Sequence, residues 1–362
     1  MRELTIDEVR DLARGAAVLG TGGGGDPTIG RLLVEQAVAD GGRIRIIDPS
    51  ELADDSLVVP TSMMGAPSVV IERLPAGGEA VAALRALEAH TGRTADATMP
   101  IECGGINSMV PLLVAARTGL PCVDADGMGR AFPELQMTTF GVAGVSVGPM
   151  ALVDERGGGA IIESDDNARA EWYARGLTVR IGGSAHKASY PMSGAEVKRS
   201  GIPRTISLGI LVGRAIREAR ERREDPFAAL TATLRGTLYG HGRVLFAGKI
   251  VDVERRVEGG FTTGRAEIES FEPSEAMQLS FQNELLMATV GGEVRAIVPD
   301  LICVLDVESA EPITTEHLRY GQRVCVFAIS TPAVMRTPEA LAVFGPAAFG
   351  LEHAWQPLEF LA

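Results

Sequence analysis

The chain of 362 residues has few aromatic residues, few cysteines and no excess of positive charge. Aromatic residues make up 5% of it and hydrophobic residues 46%, which predicts a globular protein with an aliphatic core. The net charge of -13 at pH 7 argues against nucleic acid or an anionic membrane as a partner, because both bind a basic surface. No apolar run is long enough to cross a bilayer.

The start of the chain and its cysteines point to one compartment. Residues 1–5 lead directly into a helix signal and contain no apolar core of a signal peptide. The cysteines, which are Cys103, Cys122, Cys303 and Cys325, show no CxxC spacing. We therefore expect a cytoplasmic protein with free thiols.

Alternating elements in the first part of the chain predict an α/β domain. Thr5 to Glu8 fits a capping box at the start of a helix, and helix and strand patterns then alternate to about residue 125. This order predicts a mainly parallel sheet covered by helices over residues 1–165. The second domain, residues 166–362, is predicted to be helical to about residue 238, with a strand over 177–181, and then β-rich.

The loops around Glu102 and Asp124 contain the densest chemistry in the chain. The strand predicted over 98–102 ends at Glu102 and Cys103, and the strand predicted over 121–124 ends at Asp124, with Asp126 close behind. A helix predicted over 109–118 joins the two strands. In a strand–helix–strand unit both loops open at the carboxyl edge of a parallel sheet, where sites usually form.

Each of these side chains also has a structural interpretation. Cys103 is either a thiolate ligand or nucleophile, or a small buried residue. Asp124 and Asp126 are typical of metal ligands or general bases at a strand end, but one of them could instead act as a cap or pair structurally with Arg130. His186 lies in a Gly-rich polar segment, where it is either a ligand or a structural histidine. No HxH or HxxxH pair occurs, so a metal site would have to be assembled from separate loops.

The glycine-rich segment Gly20–Asp26 leaves three interpretations open. Backbone N–H groups in such a loop can bind a phosphate, line a substrate pocket, or form a plain turn. No Lys-Ser/Thr pair follows the loop, and the pattern before it predicts a helix, so neither a Walker A loop nor a dinucleotide fingerprint is indicated. Asp26 would also oppose an anion.

A set of ordered motifs identifies a family. The chain resembles the S-methyl thiohydantoin desulfurase-like family over nearly its whole length. The motifs are Gly22–Pro27, Met64–Pro67, Glu102–Asn107, Asp124–Glu134, Tyr190–Gly194, Asn283–Glu284, Pro299–Ile302 and Tyr320–Val324. The resemblance implies an N-terminal α/β domain, a β-rich C-terminal domain and hydrolysis of a five-membered cyclic amide. In the named reaction, water replaces methylthio at the ring carbon between two nitrogens and methanethiol is released.

The chemistry of that reaction suggests roles for the candidate residues. We expect a divalent metal, zinc by preference, held by some of Cys103, His186, Asp124 and Asp126, to activate the water. One of the two aspartates, or Glu102, would act as general base. The predicted substrate contacts are Gly23, Gly24, Gly25, Asp26, Asn107, Arg130 and Met64, with Arg130 binding a carboxylate on the ring substituent.

Several alternatives remain at this point. Cys103 could attack the ring directly without a metal. The enzyme could instead be a ring-opening amidohydrolase of the hydantoinase or oxoprolinase type, or the chain could be a non-catalytic subunit that binds a nucleotide or another anion. The expected partner is a small-molecule substrate, and a homo-oligomer is one of the states left open.

Overall fold

The protein, seen in a computed structural model, is described over residues 1–65, 69, 75–258, 261–272 and 275–361. Helices α1 to α10 of these described residues are Ile6–Leu19, Pro27–Ala39, Glu79–Thr91, Val110–Thr118, Thr139–Val142, Asn167–Arg180, Gly194–Ser200, Thr205–Arg222, Pro226–Leu234 and Pro338–Phe344. Within these ranges, no helix has the length and apolar character needed to cross a membrane.

Strands β1 to β11 belong to the first part of the chain and β12 to β18 to the second. The first group is Arg2–Glu3, Arg45–Ile47, Leu57–Gly65, Ala97–Met99, Cys122–Val123, Ala125–Asp126, Met150–Val153, Gly159–Ile162, Ser184–Ala188, Met192–Ser193 and Ile202–Pro203. The second group is Gly242–Glu258, Phe261–Ser270, Ala276–Gln282, Glu284–Val290, Glu293–Ile297, Leu301–Asp306 and Arg323–Ile329.

The first sheet is mixed. Its order is β1-β2-β5-β4-β3-β9-β7-β8, with β10 also paired to β3. Strands β2, β5, β4 and β3 pair in parallel, whereas β1, β9, β7, β8 and β10 add antiparallel pairs. The predicted α/β fold class is confirmed, and parallel pairing is confined to the four central strands.

The site-bearing strand–helix–strand unit forms as predicted. Strand β4 leads through a 3-10 turn at Gly105–Ser108 into α4, and the chain returns in β5, with Thr98 paired in parallel to Cys122. The capping box at Thr5 and Glu8 is also confirmed.

The second sheet is antiparallel throughout. Its order is β16-β15-β14-β13-β12-β18-β17, and one face packs over an aliphatic core that includes Ile250, Ile268, Leu279 and Val326. This confirms the predicted β-rich second domain. The sequence pattern missed β14 (Ala276–Gln282), in which polar residues at alternate positions face outward.

Direct backbone contacts join the two sheets at the glycine-rich loop. The amide of Leu285 donates to the Thr21 carbonyl at 2.7 Å, and the amide of Thr315 donates to the Gly22 carbonyl at 2.7 Å. These bonds bring the start of β15 beside the loop that follows α1. The seam between the two parts of the chain is therefore closed by main-chain hydrogen bonds at the place where the candidate site lies.

One predicted strand is wrong. The predicted strand over 177–181 is instead the end of helix α6, which runs to Arg180 with Ile181 as its C-cap, and the following strand is β9. Leu177 and Val179 satisfy a short apolar alternation, but the helix begun by the Asp166 cap, which accepts from the amides of Ala168 and Arg169, runs through them. His186 and Lys187 therefore lie within a strand rather than in a loop.

Candidate active site

A pocket lies at the seam between the first sheet and the second. Its apolar wall includes Met63, Met64, Ile106, Met128 and Phe132. Its buried polar residues are Glu102, Asn107, Lys187 and Glu284, which we call the acid–base cluster. Glu134, Arg175 and Asn283 form a less buried rim. The cavity has a volume of about 70 Å³, above the minimum of roughly 10–15 Å³ that a single water molecule requires.

The side-chain amide of Asn107, in the turn after Glu102, holds the Glu102 carboxyl group in place. Asn107 donates from Nδ2 to Glu102 Oε1 at 2.5 Å and to the Met63 carbonyl at 3.1 Å, and its Oδ1 accepts from the Met63 amide at 2.7 Å. Because every polar atom of Asn107 is used, its orientation is fixed. Glu102 Oε2 has no hydrogen-bond partner in the described part of the chain. Burial raises the pKa of Glu102 to about 7, against the opposing effects of the Asn107 bond and the Lys187 charge.

Lys187 reaches the same pocket from strand β9. It stands opposite Ser62 of β3 and is only 1% exposed. Its ammonium nitrogen has no acceptor among the described residues. Burial lowers the pKa of Lys187 to about 8, and the negative charge of Glu102 works in the other direction. Burying an ammonium group without a hydrogen-bond acceptor costs free energy, and such groups are typical of binding or catalytic sites in which the ligand supplies the acceptor.

Glu284 comes from the second sheet. Its Oε1 accepts from the Gly24 amide at 3.1 Å, whereas Oε2 has no partner within the described ranges. Burial, and then the charge of Glu102, raise the pKa of Glu284 to about 8. A side chain at Gly23 would meet Glu284, because a Cβ there would lie 2.2 Å from Oε1. The glycine-rich loop is thus a docking surface for this carboxyl group.

The structure brings only some of the predicted substrate contacts into the pocket. Gly24, Met64 and Asn107 line it, together with Glu102. Gly23 and Gly25 are buried beside Gly24 without lining the pocket. Ala66 and Pro67 of the quoted motif lie outside the described residues.

Asp26 has a structural role in place of the predicted substrate contact. Its Oδ1 accepts from the Thr28 amide at 2.8 Å and so caps the first turn of α2. It faces a different surface depression, which also contains Arg10 and Arg31. The sequence Asp-Pro-Thr before an apolar helix is the pattern of an N-cap, and that signal was available without the structure.

Cys103 and Asp126 lie behind the pocket wall. The Cys103 amide donates to Asp126 Oδ2 at 2.7 Å, and the same oxygen accepts from the amides of Gly129 at 2.9 Å and Met128 at 3.3 Å. Burial raises the pKa of the Cys103 thiol well above its usual range and that of Asp126 to about 7. Neither side chain predicted to be catalytic lines the pocket, and Asp126 joins two loops through these hydrogen bonds.

Asp124 caps helix α8, which belongs to the segment predicted as the second domain. Its carboxylate accepts from the Ser207 amide at 3.0 Å and from the Ser207 hydroxyl at 2.5 Å, in the first turn of α8. Burial raises the pKa of Asp124, and the Ser207 bonds oppose the shift. This is the capping alternative, and Asp124 does not line the pocket.

His186 points away from the acid–base cluster. Neighbouring residues in a strand face opposite sides of the sheet, so His186 and Lys187 diverge. His186 lies beside Glu79 in a separate cavity, and burial lowers its pKa. Across the described ranges, no three His, Cys, Asp or Glu side chains are grouped as metal ligands would be. The predicted zinc ligands do not fit a common metal site.

Arg130 is fully buried and bound on all sides by the protein. It donates from Nη1 to the Asp300 carbonyl at 2.8 Å and from Nη2 to Thr21 Oγ1 at 2.8 Å and to the Leu285 carbonyl at 3.0 Å. Burial lowers the pKa of Arg130 to about 10. Its donors are engaged across the seam, and it does not line the pocket in which a substrate carboxylate was predicted to meet it.

One further sequence motif lies outside the pocket. Gly144–Gly148 matches GxSxG, the pattern of a nucleophile elbow. Ser146 is exposed, and its hydroxyl donates weakly to the Ser164 carbonyl at 3.4 Å. The segment follows the short helix α5 and precedes strand β7, which is the reverse of the strand–turn–helix order that an elbow requires.

The residues missed by the sequence analysis as site residues are Lys187, Glu284 and Arg175. Lys187 adjoins His186 in strand β9. Because the strand was predicted over 177–181 instead, Lys187 was placed in a loop. Glu284 appears in the family motif Asn283–Glu284 but has no pattern that assigns it chemistry. Arg175 lies in a helix among other charged residues and has no distinguishing context in the sequence.

Comparisons with known proteins agree with the motifs. The model of the S-Me-THD-like N-terminal domain matches residues 7–164, and that of the S-Me-THD-like C-terminal domain matches residues 164–358. A crystal structure of a protein from Chromobacterium violaceum is 26% identical, with a TM-score of 0.81, and covers 99% of this chain and 100% of its own. No curated protein matches. The two domain models together span almost the whole chain, which therefore belongs to the S-Me-THD-like family, as the motifs predicted.

Proposed function

We propose that this protein hydrolyses a small five-membered cyclic amide of the S-methyl thiohydantoin type to a hydantoin and methanethiol. The observation that carries the proposal is the convergence of three buried, unpaired atoms on one pocket. Glu102 Oε2, Lys187 Nζ and Glu284 Oε2 have no partner in the described part of the chain. Family membership supports the choice of ring.

The unpaired atoms favour a polar ring as ligand. Each buried polar group without a partner costs about 1–3 kcal/mol, which a ligand with complementary groups recovers on binding. A thiohydantoin ring has a carbonyl oxygen and ring nitrogens at its edge and a methylthio group on one side. The methionines of the apolar wall, Met63, Met64 and Met128, suit that thioether.

The two carboxyl groups divide the acid and base roles. The Asn107 hydrogen bond and the nearby Lys187 charge favour the ionised form of Glu102, whereas the charge of Glu102 raises the pKa of Glu284 and so favours its protonated form. Environments that separate the pKa values of neighbouring carboxyls in this way are typical of acid–base catalysis. The Lys187 ammonium then stabilises negative charge that develops on the ring.

The reaction proceeds in two steps. Glu102 accepts a proton from water as the water oxygen bonds to the ring carbon between the nitrogens, and the C=N electron pair moves to nitrogen, which takes a proton from Glu284. The carbon–sulfur bond then breaks as the new oxygen becomes a carbonyl. The methanethiolate leaves with the proton held by Glu102, and the hydroxyl proton returns to Glu284. Water thus supplies one proton to the ring and one to methanethiol.

The Cys103 route receives less support. A nucleophilic cysteine needs an accessible thiolate. The Cys103 side chain is 2% exposed, lies behind the pocket wall and has a pKa raised by burial. The acid–base cluster therefore carries the proposal.

The test is turnover of S-methyl thiohydantoin by the purified protein. Methanethiol is measured with a thiol reagent, and mass spectrometry identifies the ring product, since ring opening would yield a heavier acid instead of a hydantoin. We expect Glu102→Gln, Glu284→Gln and Lys187→Met each to lower kcat by roughly 100-fold or more, the usual contribution of an acid or base.

Matched controls come from exposed residues of the second domain. Glu339→Gln and Lys249→Met make the same chemical changes away from the pocket and should retain full activity. Absence of methanethiol with the unaltered protein would refute the desulfurase proposal. Turnover that survives all three pocket substitutions would refute the assignment of the acid–base cluster.

A further inference from the structure

Helix α6 presents an apolar strip to solvent. Its outer face carries Ala168, Trp172, Gly176 and Val179, all exposed and spaced three or four residues apart. Residues at this spacing lie on one side of a helix, so the four form a continuous surface. Trp172 is 71% exposed and Val179 is 60% exposed. An exposed apolar strip with polar residues around it is typical of an interaction surface.

Trp172 is held in place by its neighbours although its ring is exposed. The ring packs edge to face against Tyr173, with the two ring centroids 5.3 Å apart. The Tyr173 hydroxyl accepts a hydrogen bond from Arg169 Nε at 3.1 Å, which fixes Tyr173 in turn. A side chain that is ordered before binding loses little conformational entropy on binding. Tryptophans are also frequent anchors of protein interfaces, so Trp172 has the character of such an anchor.

Gly176 forms a notch one turn away from Trp172. It lies in the interior of α6, where glycine is less favourable than alanine. A Cβ atom at this position would meet no other atom within 4 Å, so no contact in the described part of the chain requires a glycine here. Close approach of a second molecule does require one, because a side chain at this position would keep the two backbones apart. The notch therefore suits a bulky side chain that arrives from another chain.

The two ends of α6 carry charges of opposite sign. Asp165 and Asp166 precede the helix, Arg180 is its last residue, and all three are exposed. Neither Asp165 nor Arg180 has an ion-pair partner in the described ranges. A second copy of α6 that runs antiparallel would bring opposite charges together at both ends and would also align the helix dipoles favourably. A parallel copy would bring like charges together, so the charges favour an antiparallel second copy as the partner.

We propose that α6 is the contact surface of a homodimer in which two copies of the helix pack antiparallel about a twofold axis. An axis that passes midway between Trp172 and Gly176 sets each Trp172 over the Gly176 of the other copy. The same axis places Arg180 of one copy within one helical turn of Asp165 of the other. Because the contact is isologous, each of these favourable pairs occurs twice.

The size of the surface sets the expected affinity. Helix α6 has 14 residues and is therefore about 21 Å long. A single helix of this length covers less than the roughly 800 Å² per partner of a standard stable interface. We therefore expect a reversible dimer that dissociates in the micromolar range.

The experiment is sedimentation equilibrium of the full chain at concentrations from about 1 to about 200 µM. We expect the mass to rise from the chain mass of 38.1 kDa towards twice that value. Trp172→Ala and Gly176→Leu should each raise the dissociation constant by roughly 10-fold or more. Leucine favours a helix more than glycine does, so Gly176→Leu should keep or raise the melting temperature. A dimer lost in that variant is therefore not lost through misfolding.

Charge reversal tests the antiparallel direction. Arg180→Glu and Asp165→Arg should each raise the dissociation constant by roughly 2- to 5-fold, the usual effect of an exposed ion pair that occurs twice. The double variant restores opposite charges across the axis and should recover most of the affinity. Phe360→Ala removes another exposed aromatic ring and serves as the matched control, which should leave the dimer unchanged. Failure of the double variant to recover affinity would overturn the antiparallel arrangement.

Fluorescence reports the contact at the anchor itself. The chain has two tryptophans, Trp172 and Trp355, so Trp355→Phe leaves Trp172 as the sole source of tryptophan emission. Its emission should shift to shorter wavelength as the concentration rises, because the indole ring leaves water. A monomer at every concentration would overturn the inference. So would an assembly of any size that is unchanged in both Trp172→Ala and Gly176→Leu, since it would use another surface.

Discussion

Replacing Glu284 with Gln tests the electrostatics of the pocket without any substrate. Gln keeps the size of the side chain and an oxygen that can accept the hydrogen bond from the Gly24 amide, which is 3.1 Å long. The substitution removes the ionisable group whose pKa burial raises to about 8. The variant and the unaltered protein therefore differ chiefly in the cost of burying this charge.

The sign of the effect follows from proton binding. A carboxyl whose pKa is higher in the folded than in the unfolded protein binds its proton more tightly when folded. Its stabilising contribution is fully present below the unfolded pKa of about 4.3 and is lost as the pH rises through the folded value of about 8. With these values, the free energy of unfolding falls by roughly 2–3 kcal/mol between about pH 6 and about pH 8.5 from this group alone.

The assay is urea unfolding followed by circular dichroism at both pH values. Other groups titrate in the same range, so the informative quantity is the difference in pH dependence between Glu284→Gln and the unaltered protein. We expect the variant to lose roughly 2–3 kcal/mol less on going to high pH. Glu339→Gln, on the exposed surface, should behave like the unaltered protein. An equal loss in Glu284→Gln would refute the raised pKa and with it the acid role.

Three further predictions concern the seam, the reaction and the cysteine. Arg130→Met should lower the free energy of unfolding by about 3–5 kcal/mol because it leaves several buried acceptors unpaired, and Arg130→Lys should restore only part of that stability. Urea unfolding measures both variants, and a loss below about 1 kcal/mol in Arg130→Met would contradict the bridging role. The activity should require ionised Glu102 and protonated Glu284, so kcat/KM should rise as the pH passes about 7 and fall above about 8; a profile flat from about pH 6 to 9 would contradict the assignment. Cys103→Ser should keep turnover within about tenfold while lowering the melting temperature, since it places a hydroxyl in a thiol site; a large loss of turnover in a stably folded variant would restore a catalytic role.

Local sequence patterns were sufficient to predict the secondary-structure elements that carry Glu102 and Asn107. The capping box at Thr5, the helix over Val110–Thr118 and the two flanking strands follow from signals within a few residues. Because parallel strands open at the same sheet edge, the loop with Glu102 and Asn107 could be placed in a site. The alternating apolar and polar residues of β14 are a regular strand signal, so that strand could have been predicted from the sequence. The helix that runs through Leu177 and Val179 shows the limit of a short apolar pattern.

The roles of individual side chains depend on the direction in which each side chain points, which the sequence pattern did not predict. Glu102 and Cys103 are neighbours in one loop, yet one faces the pocket and the other packs behind its wall. His186 and Lys187 are neighbours in one strand. His186, which the sequence analysis chose as a candidate ligand, faces away from the site, and Lys187 lines it. Asp124 and Arg130 look like site residues but are used to cap a helix and to join the two sheets.

The sequence by itself determined the family, the two-domain fold class and the loop that supplies Glu102, since each depends on motifs or periodicities local in the chain. The tertiary structure alone decided that Lys187 and Glu284 join Glu102. Glu284 lies in a different sheet, and its approach requires Gly23 and Gly24 to leave space and donate a hydrogen bond. Burial of three ionisable groups in one pocket, and therefore their shifted pKa values, arises only when residues distant in the chain exclude water together.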